Sequence, residues 1–97
     1  MHIVSVRTLE RFWGIHPDAE GPLTDWYEKV EAARWETPAD ALASISHVSV
    51  LGDRWLVFNI GGGKYRLVAK IGYRTKVVFV RFVGTHAEYD KIDANEV

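Results

Sequence analysis

The chain has 97 residues, 47% of them hydrophobic and 12% aromatic, and it contains no cysteine. That length and composition suit one buried core and exclude two domains, a disordered tail, disulfides and thiolate metal centres. Twelve basic and thirteen acidic residues give a net charge of −1. Charged residues interrupt the first apolar stretch, which excludes a signal peptide, and no run approaches a membrane span. A cytoplasmic protein without membrane contact is the expectation.

The first half reads helical. Met1 to Val4 is a short apolar run suited to a strand, and Ser5 is a candidate N-cap. Leu9, Phe12, Trp13 and His16 recur at helical spacing up to Pro17. A second helix runs from about Pro22, or slightly earlier, to Arg34, with Leu23, Trp26, Tyr27, Val30 and Ala33 as its apolar stripe. These aromatics read as core packing. Thr37-Pro38-Ala39-Asp40 combines an N-cap, a first-position proline and a first-turn acid, opening a short helix to about Ser44.

The second half reads as strands: Val48 to Leu51, Trp55 to Ile60, Tyr65 to Tyr73 and Val77 to Val83. Gly52-Asp53, Gly61-Gly62-Gly63 and Arg74-Thr75 supply the turns. The glycine triplet lacks the lysine and hydroxyl spacing of a phosphate loop and precedes a strand, so it is turn chemistry. His86 to Ile92 forms a short terminal helix or loop. The expected fold class is α+β, with two to three N-terminal helices packed on one face of a small, mostly antiparallel twisted sheet.

The charge is unevenly spread. From Arg54 to Arg81 stand seven basic residues (Arg54, Lys64, Arg66, Lys70, Arg74, Lys76 and Arg81) and no acid, so the rest of the chain carries −8. Such a run marks either a polyanion-binding surface or a merely solvated face. Strand parity separates the two. Tyr65, Leu67, Ala69 and Ile71 alternate with Lys64, Arg66, Val68 and Lys70. A two-residue turn at Arg74-Thr75 sets Ala69 opposite Val80 and Val68 opposite Arg81. Val78, Val80 and Phe82 then face the core with Leu56, Phe58 and Ile60, while one-residue slippage would undo the match. Arg66, Lys70, Arg81, Lys64 and Asn59 share the open face, with Phe79 and Trp55 between them for base stacking. Arg54, Arg74 and Lys76 fall in turns or at strand ends, as solvated periphery.

Just beyond the run come His86 and, three residues later, Tyr89. Metal-free RNA cleavage needs a base for the 2′-hydroxyl, cations for the charged phosphorane and an acid for the departing 5′-oxygen. Histidine moves protons near neutral pH and arginine stabilises the charge. The four histidines are dispersed without ligand spacing, so no metal and no cofactor is expected.

The segments from Phe58 to Val68 (Phe58-Asn59-Ile60-Gly61-Gly62-Gly63-Lys64-Tyr65-Arg66-Leu67-Val68) and from Val80 to Asp90 closely resemble the HigB-type toxins of bacterial toxin–antitoxin modules. So do Phe12-Trp13 with His16-Pro17-Asp18-Ala19-Glu20 and the helix around Trp26-Tyr27, so the resemblance covers essentially the whole chain. It implies the RelE/ParE superfamily fold and an endoribonuclease, an mRNA interferase that cuts mRNA in the ribosomal decoding site. It further implies a helix-turn-helix antitoxin as partner. Carried over by position, Arg66 and Arg81 hold the scissile phosphate, His86 transfers a proton and Tyr89 positions or stacks, with Lys64 and Lys91 on the RNA backbone. Gly63 departs from the family, where Asn is frequent. The other readings are a non-catalytic toxin of the same fold that inhibits gyrase, and a simple RNA-binding module with no use for His86.

Overall fold

The computed structural model describes residues 1–94 and 97. Its elements run β1 (His2–Val4), α1 (Val6–Ile15), a short 3-10 turn (Pro17–Ala19), α2 (Glu20–Ala32), α3 (Pro38–Ser44), β2 (Val48–Val50), β3 (Trp55–Ile60), β4 (Tyr65–Gly72), β5 (Val77–Thr85) and α4 (His86–Tyr89). One five-stranded sheet has the order β1-β5-β4-β3-β2, with β1 parallel to β5 and every other pair antiparallel. This is the α+β architecture expected.

The helices form where apolar spacing and end chemistry agree. Leu9 and Phe12 bury one side of α1, and Leu23, Trp26 and Val30 bury one side of α2. Pro22 sits in the first turn of α2, where its missing N–H costs nothing. Thr37 caps α3: its hydroxyl accepts from the Asp40 N–H, and the Asp40 carboxylate accepts from the Thr37 N–H. Ser5 stands at the start of α1 but makes no capping bond; it adopts a left-handed conformation with φ of 76°. There it turns the chain from strand to helix.

The helix layer and one sheet face close over the main core. Leu56, Phe58, Ile60, Tyr65, Leu67, Ala69, Ile71, Val78 and Val80 meet Leu9, Leu23, Trp26, Val30 and Trp35. Trp26 packs edge-on against Phe58 at 5.3 Å between ring centres, and Trp35 stacks on it at 6.3 Å. The Trp35 indole N–H reaches Ser44 Oγ at 3.1 Å, tying α3 to this cluster.

The register between β3 and β4 follows the expected parity, with Leu56 opposite Ala69 and Asn59 opposite Arg66. Between β4 and β5 it holds from Gly72–Val77 to Ala69–Val80. The connection is the four-residue segment Tyr73 to Lys76 rather than a two-residue turn, which leaves parity unchanged. Then the ladder slips by one: Val68 pairs with Phe82 and Arg81 is the extra residue of a β-bulge. The slip corrects two expectations. Val68 lies opposite Phe82 rather than Arg81, and Phe82 leaves the main core for the outer face.

The outer face is also less open than expected. Val57, Val68 and Ala94 form a second buried cluster there, flanked by Trp55, Phe82, Tyr89 and Val97. Val68 is fully buried although it alternates with Arg66 and Lys70. The terminal segment thus crosses the middle of the face. It is helical only over His86–Tyr89, shorter than the span to Ile92 that the sequence suggests.

Candidate nucleic-acid interface and active site

Three glycines shape the turn between β3 and β4. Gly61, Gly62 and Gly63 all have positive φ, at 64°, 69° and 96°, a region that residues with a Cβ enter only with strain. The tight turn brings its own carbonyls within reach of β4. Arg66 Nη1 donates to the Gly63 carbonyl at 2.7 Å and to the Tyr65 carbonyl at 3.2 Å. The guanidinium is thereby held in place, and its other donors have no partner among the described residues. A glycine triplet that looks like mere turn chemistry therefore also preorganises a cation.

Opposite Arg66 on β5 is Gly84. A Cβ there would come within 2.6 Å of the Phe82 ring and 3.2 Å of Glu88 Oε1, so any side chain would have to displace the tip of that ring. The strand then turns into α4 through a reciprocal cap. Thr85 Oγ1 accepts from the Glu88 N–H at 3.1 Å, and Glu88 Oε1 accepts from the Thr85 N–H at 2.8 Å. Those backbone and hydroxyl bonds from Thr85 hold the Glu88 carboxyl below its usual range. The spacing Thr-x-x-Glu is a capping signature that the sequence already contains.

His86 is the first residue of that helix. Its backbone N–H donates to the Lys64 carbonyl at 3.0 Å, extending the β4–β5 pairing beyond the strand ends. Its Nδ1 lies 3.1 Å from Asp90 Oδ2, one helical turn on, with both side chains more than half exposed. Asp90 fixes one imidazole nitrogen and leaves Nε2 for a ligand, the orienting arrangement expected of a proton-transfer histidine. The i,i+4 spacing of His86 and Asp90 is visible in the sequence, although only the pair's geometry shows its use.

Lys64 behaves differently from the expected outer-face cation. Its Nζ pairs with Asp18 Oδ2 at 3.1 Å, while Tyr65 OH donates to Asp18 Oδ1 at 2.5 Å. Asp18 stands in the 3-10 turn of the helix layer, so Lys64 bends around the sheet end toward that layer. The Tyr65 hydroxyl, then the Lys64 ammonium, hold the Asp18 carboxyl below its usual range, and the same Asp18 bond raises the Tyr65 phenol. Asp18 anchors the segment whose carbonyl receives the His86 N–H. Within the His16-Pro17-Asp18-Ala19-Glu20 motif nothing in the spacing announces this contact.

The remaining expected residues divide. Asn59 is exposed opposite Arg66, at the His86 end of the sheet. Tyr89 is partly buried and packs against the cluster of Val57 and Val68. Lys91 is exposed just after α4, its N–H on the Glu88 carbonyl. Lys70 and Phe79 pair with each other at the opposite end of the face. Arg81, in the bulge, donates from Nε to the Val97 carbonyl at 3.1 Å and lines a hollow with Lys70, Phe79 and Arg54. The cations therefore form two groups on either side of the terminal segment, not one patch. Among the described residues no three His, Asp or Glu side chains gather as a metal site, and no helix is long and apolar enough to cross a membrane.

Comparison with known proteins places this arrangement. The model of the HigB toxin family, described as the RelE-like toxic component of a toxin–antitoxin system, matches residues 19–92. The mRNA interferase HigB of Escherichia coli O6:H1 (strain CFT073) is 28% identical over 94 residues, covering 95% of this chain and 91% of that protein. The mRNA interferase toxin HigB of Escherichia coli K12 is 27% identical over 93 residues, covering 93% and 88%. The mRNA interferase HigB of Shigella flexneri gives the same figures. The matched span takes in α2, the glycine turn, both arginines, the bulge and the His86 helix, and on that footing the chain belongs to the HigB family of RelE-like toxins of toxin–antitoxin systems.

Proposed function

We propose that this toxin is an mRNA interferase that enters the ribosomal decoding site and cuts the bound message. The observation that carries the reading is the junction of β4 and α4. There the His86 N–H sits on the Lys64 carbonyl, and Arg66 is pinned to the glycine turn opposite Gly84. A proton carrier and a preorganised cation thus share one rim of the outer face. The relatives at 27–28% identity carry the name mRNA interferase, which supports the same chemistry here.

The reaction needs no cofactor. The 2′-hydroxyl loses its proton to a base as its oxygen attacks the adjacent phosphorus. Arg66, with Arg81 from the bulge, stabilises the charged phosphorane, and the bond from phosphorus to the 5′-oxygen breaks as an acid protonates that oxygen. The products are a 2′,3′-cyclic phosphate and a free 5′-hydroxyl. His86 carries one of the two proton transfers, oriented through Nδ1 by Asp90, while Tyr89 positions or stacks the neighbouring nucleotide. Asn59, Lys64, Lys70, Phe79 and Lys91 contact the RNA on either side. The toxin acts in the cytoplasm, and its antitoxin is a helix-turn-helix protein encoded beside it.

Mapping of message 5′ ends in cells expressing the wild type, His86→Ala and Arg66→Ala tests the reading. The wild type should cut within translated frames. Loss of a general acid or base costs about 10²–10⁴-fold and loss of a charge-stabilising donor about 10²–10³-fold, so His86→Ala and Arg66→Ala should both leave messages intact. Growth arrest with intact messages and broken DNA would replace the nuclease by a gyrase inhibitor.

A further inference from the structure

The second group of cations has a shape of its own. Arg54, Lys70, Ile71, Gly72, Phe79 and Arg81 line a hollow of about 260 Å³ on the outer face, with no acid among them. Among the described residues Arg54 and Lys70 take part in no ion pair, and Arg81 is engaged through Nε with the Val97 oxygen at 3.1 Å. Phe79 is 38% exposed, unusual for a side chain of its size, and pairs across the strands with Lys70. Lys70 in turn lies 5.8 Å over the Trp55 ring, which fixes its position. Arg54 reaches this place because its carbonyl accepts the Ile71 N–H at 2.6 Å, drawing the β2–β3 turn against β4. In the sequence alone it is a turn residue on the periphery.

We propose that this hollow is a second nucleotide subsite, separate from the cleavage site, that binds the phosphate and base of the message some nucleotides away from the cut. The proposal rests on the reading of this protein as an RNA-cleaving toxin. Lys70 stands four residues from Arg66 on β4, about 13 Å along a strand. That distance corresponds to roughly two nucleotides of an extended strand or about four of a stacked one. The second cluster occupies the interval between Arg66 and the end of the hollow formed by Arg54, Lys70 and Phe79, so those two ends face different phosphates while Arg81 stands between them. Cations around an exposed aromatic ring suit a phosphate held beside a stacked base, a mode tolerant of sequence. Arg81 joins the two sites: it lines the hollow, and in the bulge it stands between the partners of Val68 and Ala69.

Binding of fully 2′-O-methylated RNA, which has no nucleophile and cannot be cut, reads the subsite directly. Oligonucleotides of about three and about eight nucleotides bracket the span of one site and two. The wild type should bind the longer one more tightly. Arg54→Glu with Lys70→Glu should abolish that gain and reduce the salt slope by about one to two. Phe79→Ala should weaken the longer oligonucleotide roughly five- to hundred-fold and so shrink its gain over the shorter one. Arg54→Lys with Lys70→Arg keeps the charge and should keep the gain, which separates binding from misfolding. An unchanged gain in the charge-reversal variant, or no RNA binding by the wild type, overturns the proposal. Loss of binding to empty ribosomes with the oligonucleotide profile intact also overturns it, by assigning the hollow to ribosomal RNA. If messages stay intact in cells but the gain depends on Arg54 and Lys70, the nuclease reading fails and the subsite stands. If messages are cut and the gain is unaffected, only the subsite fails.

Discussion

The two faces of the sheet are built by the same alternation on the same strands, yet they are finished differently. The helix-covered face is filled by residues from α1, α2, α3 and every strand but β2, whose Val48 packs beside it. Among the described residues the outer face carries a smaller buried cluster, Val57, Val68 and Ala94, with half-buried neighbours at the margin. Its ends are left to Arg66 and His86 on one side and to Lys70, Arg54 and Phe79 on the other. The difference teaches that a fully packed face and a charged, thinly packed one are separated by a single layer of backbone. Changes on one face should move folding, and changes on the other should move RNA handling.

The strongest test of that division is Phe58→Ala. Phe58 is 1% exposed and touches both Trp26 and Trp35, so truncation should cost about 3–5 kcal/mol in urea unfolding. A loss under about 1 kcal/mol would show that the main core is not where stability resides. Val68→Ala probes the other face. Its two lost methyl groups should cost about 2 kcal/mol. A loss as large as that of Phe58→Ala would merge the two clusters into one core and undo the comparison.

The smallest effect concerns the contact that joins the layers. Asp18 is held below its usual range, so its stabilising bonds to Tyr65 and Lys64 are fully present above the unfolded carboxyl value, about 3.9. They are lost as the pH falls through the folded value. Tyr65 is raised, so its share is present below about pH 10 and is lost as the pH climbs through the folded phenol value. The stability gap between wild type and Asp18→Asn should therefore be level around neutrality and shrink toward acid. Denaturant midpoints across pH measure it, and a gap that persists unchanged in acid would show that Asp18 works through something other than its charge.

Much of this was legible beforehand, and the reasons are local. Trp55 to Ile60 forms a strand over those very residues because a short apolar run, broken only by Asn59, stands between two turn signals. Thr37 and Asp40 announce α3 by reciprocal bonds over three residues. Parity on β3, β4 and the first half of β5 put Arg66, Lys70 and Asn59 on one face, as found. The failures are where distant segments meet. Alternation places Phe82 in the main core, but one extra residue at Arg81 reverses parity, and an apolar residue after the bulge satisfies either face. Lys64 was set on the outer face because alternation describes where a Cβ points, whereas a long lysine follows the nearest carboxylate.

Residue order alone therefore settled the elements, their faces and the clustering of positive charge, since these depend on neighbours within a few positions. It also carried the family resemblance, through the glycine turn and the His86 segment. Folding in three dimensions settled the rest. It set β1 parallel beside β5, closed Asp18 on Lys64 and Tyr65, and brought Arg54 to Lys70 and Phe79. It also laid Ala94 and Val97 beside Val57 and Val68, dividing the basic run into two groups. Such contacts join residues far apart in the chain, where burial and charge choose among partners that local pattern does not distinguish.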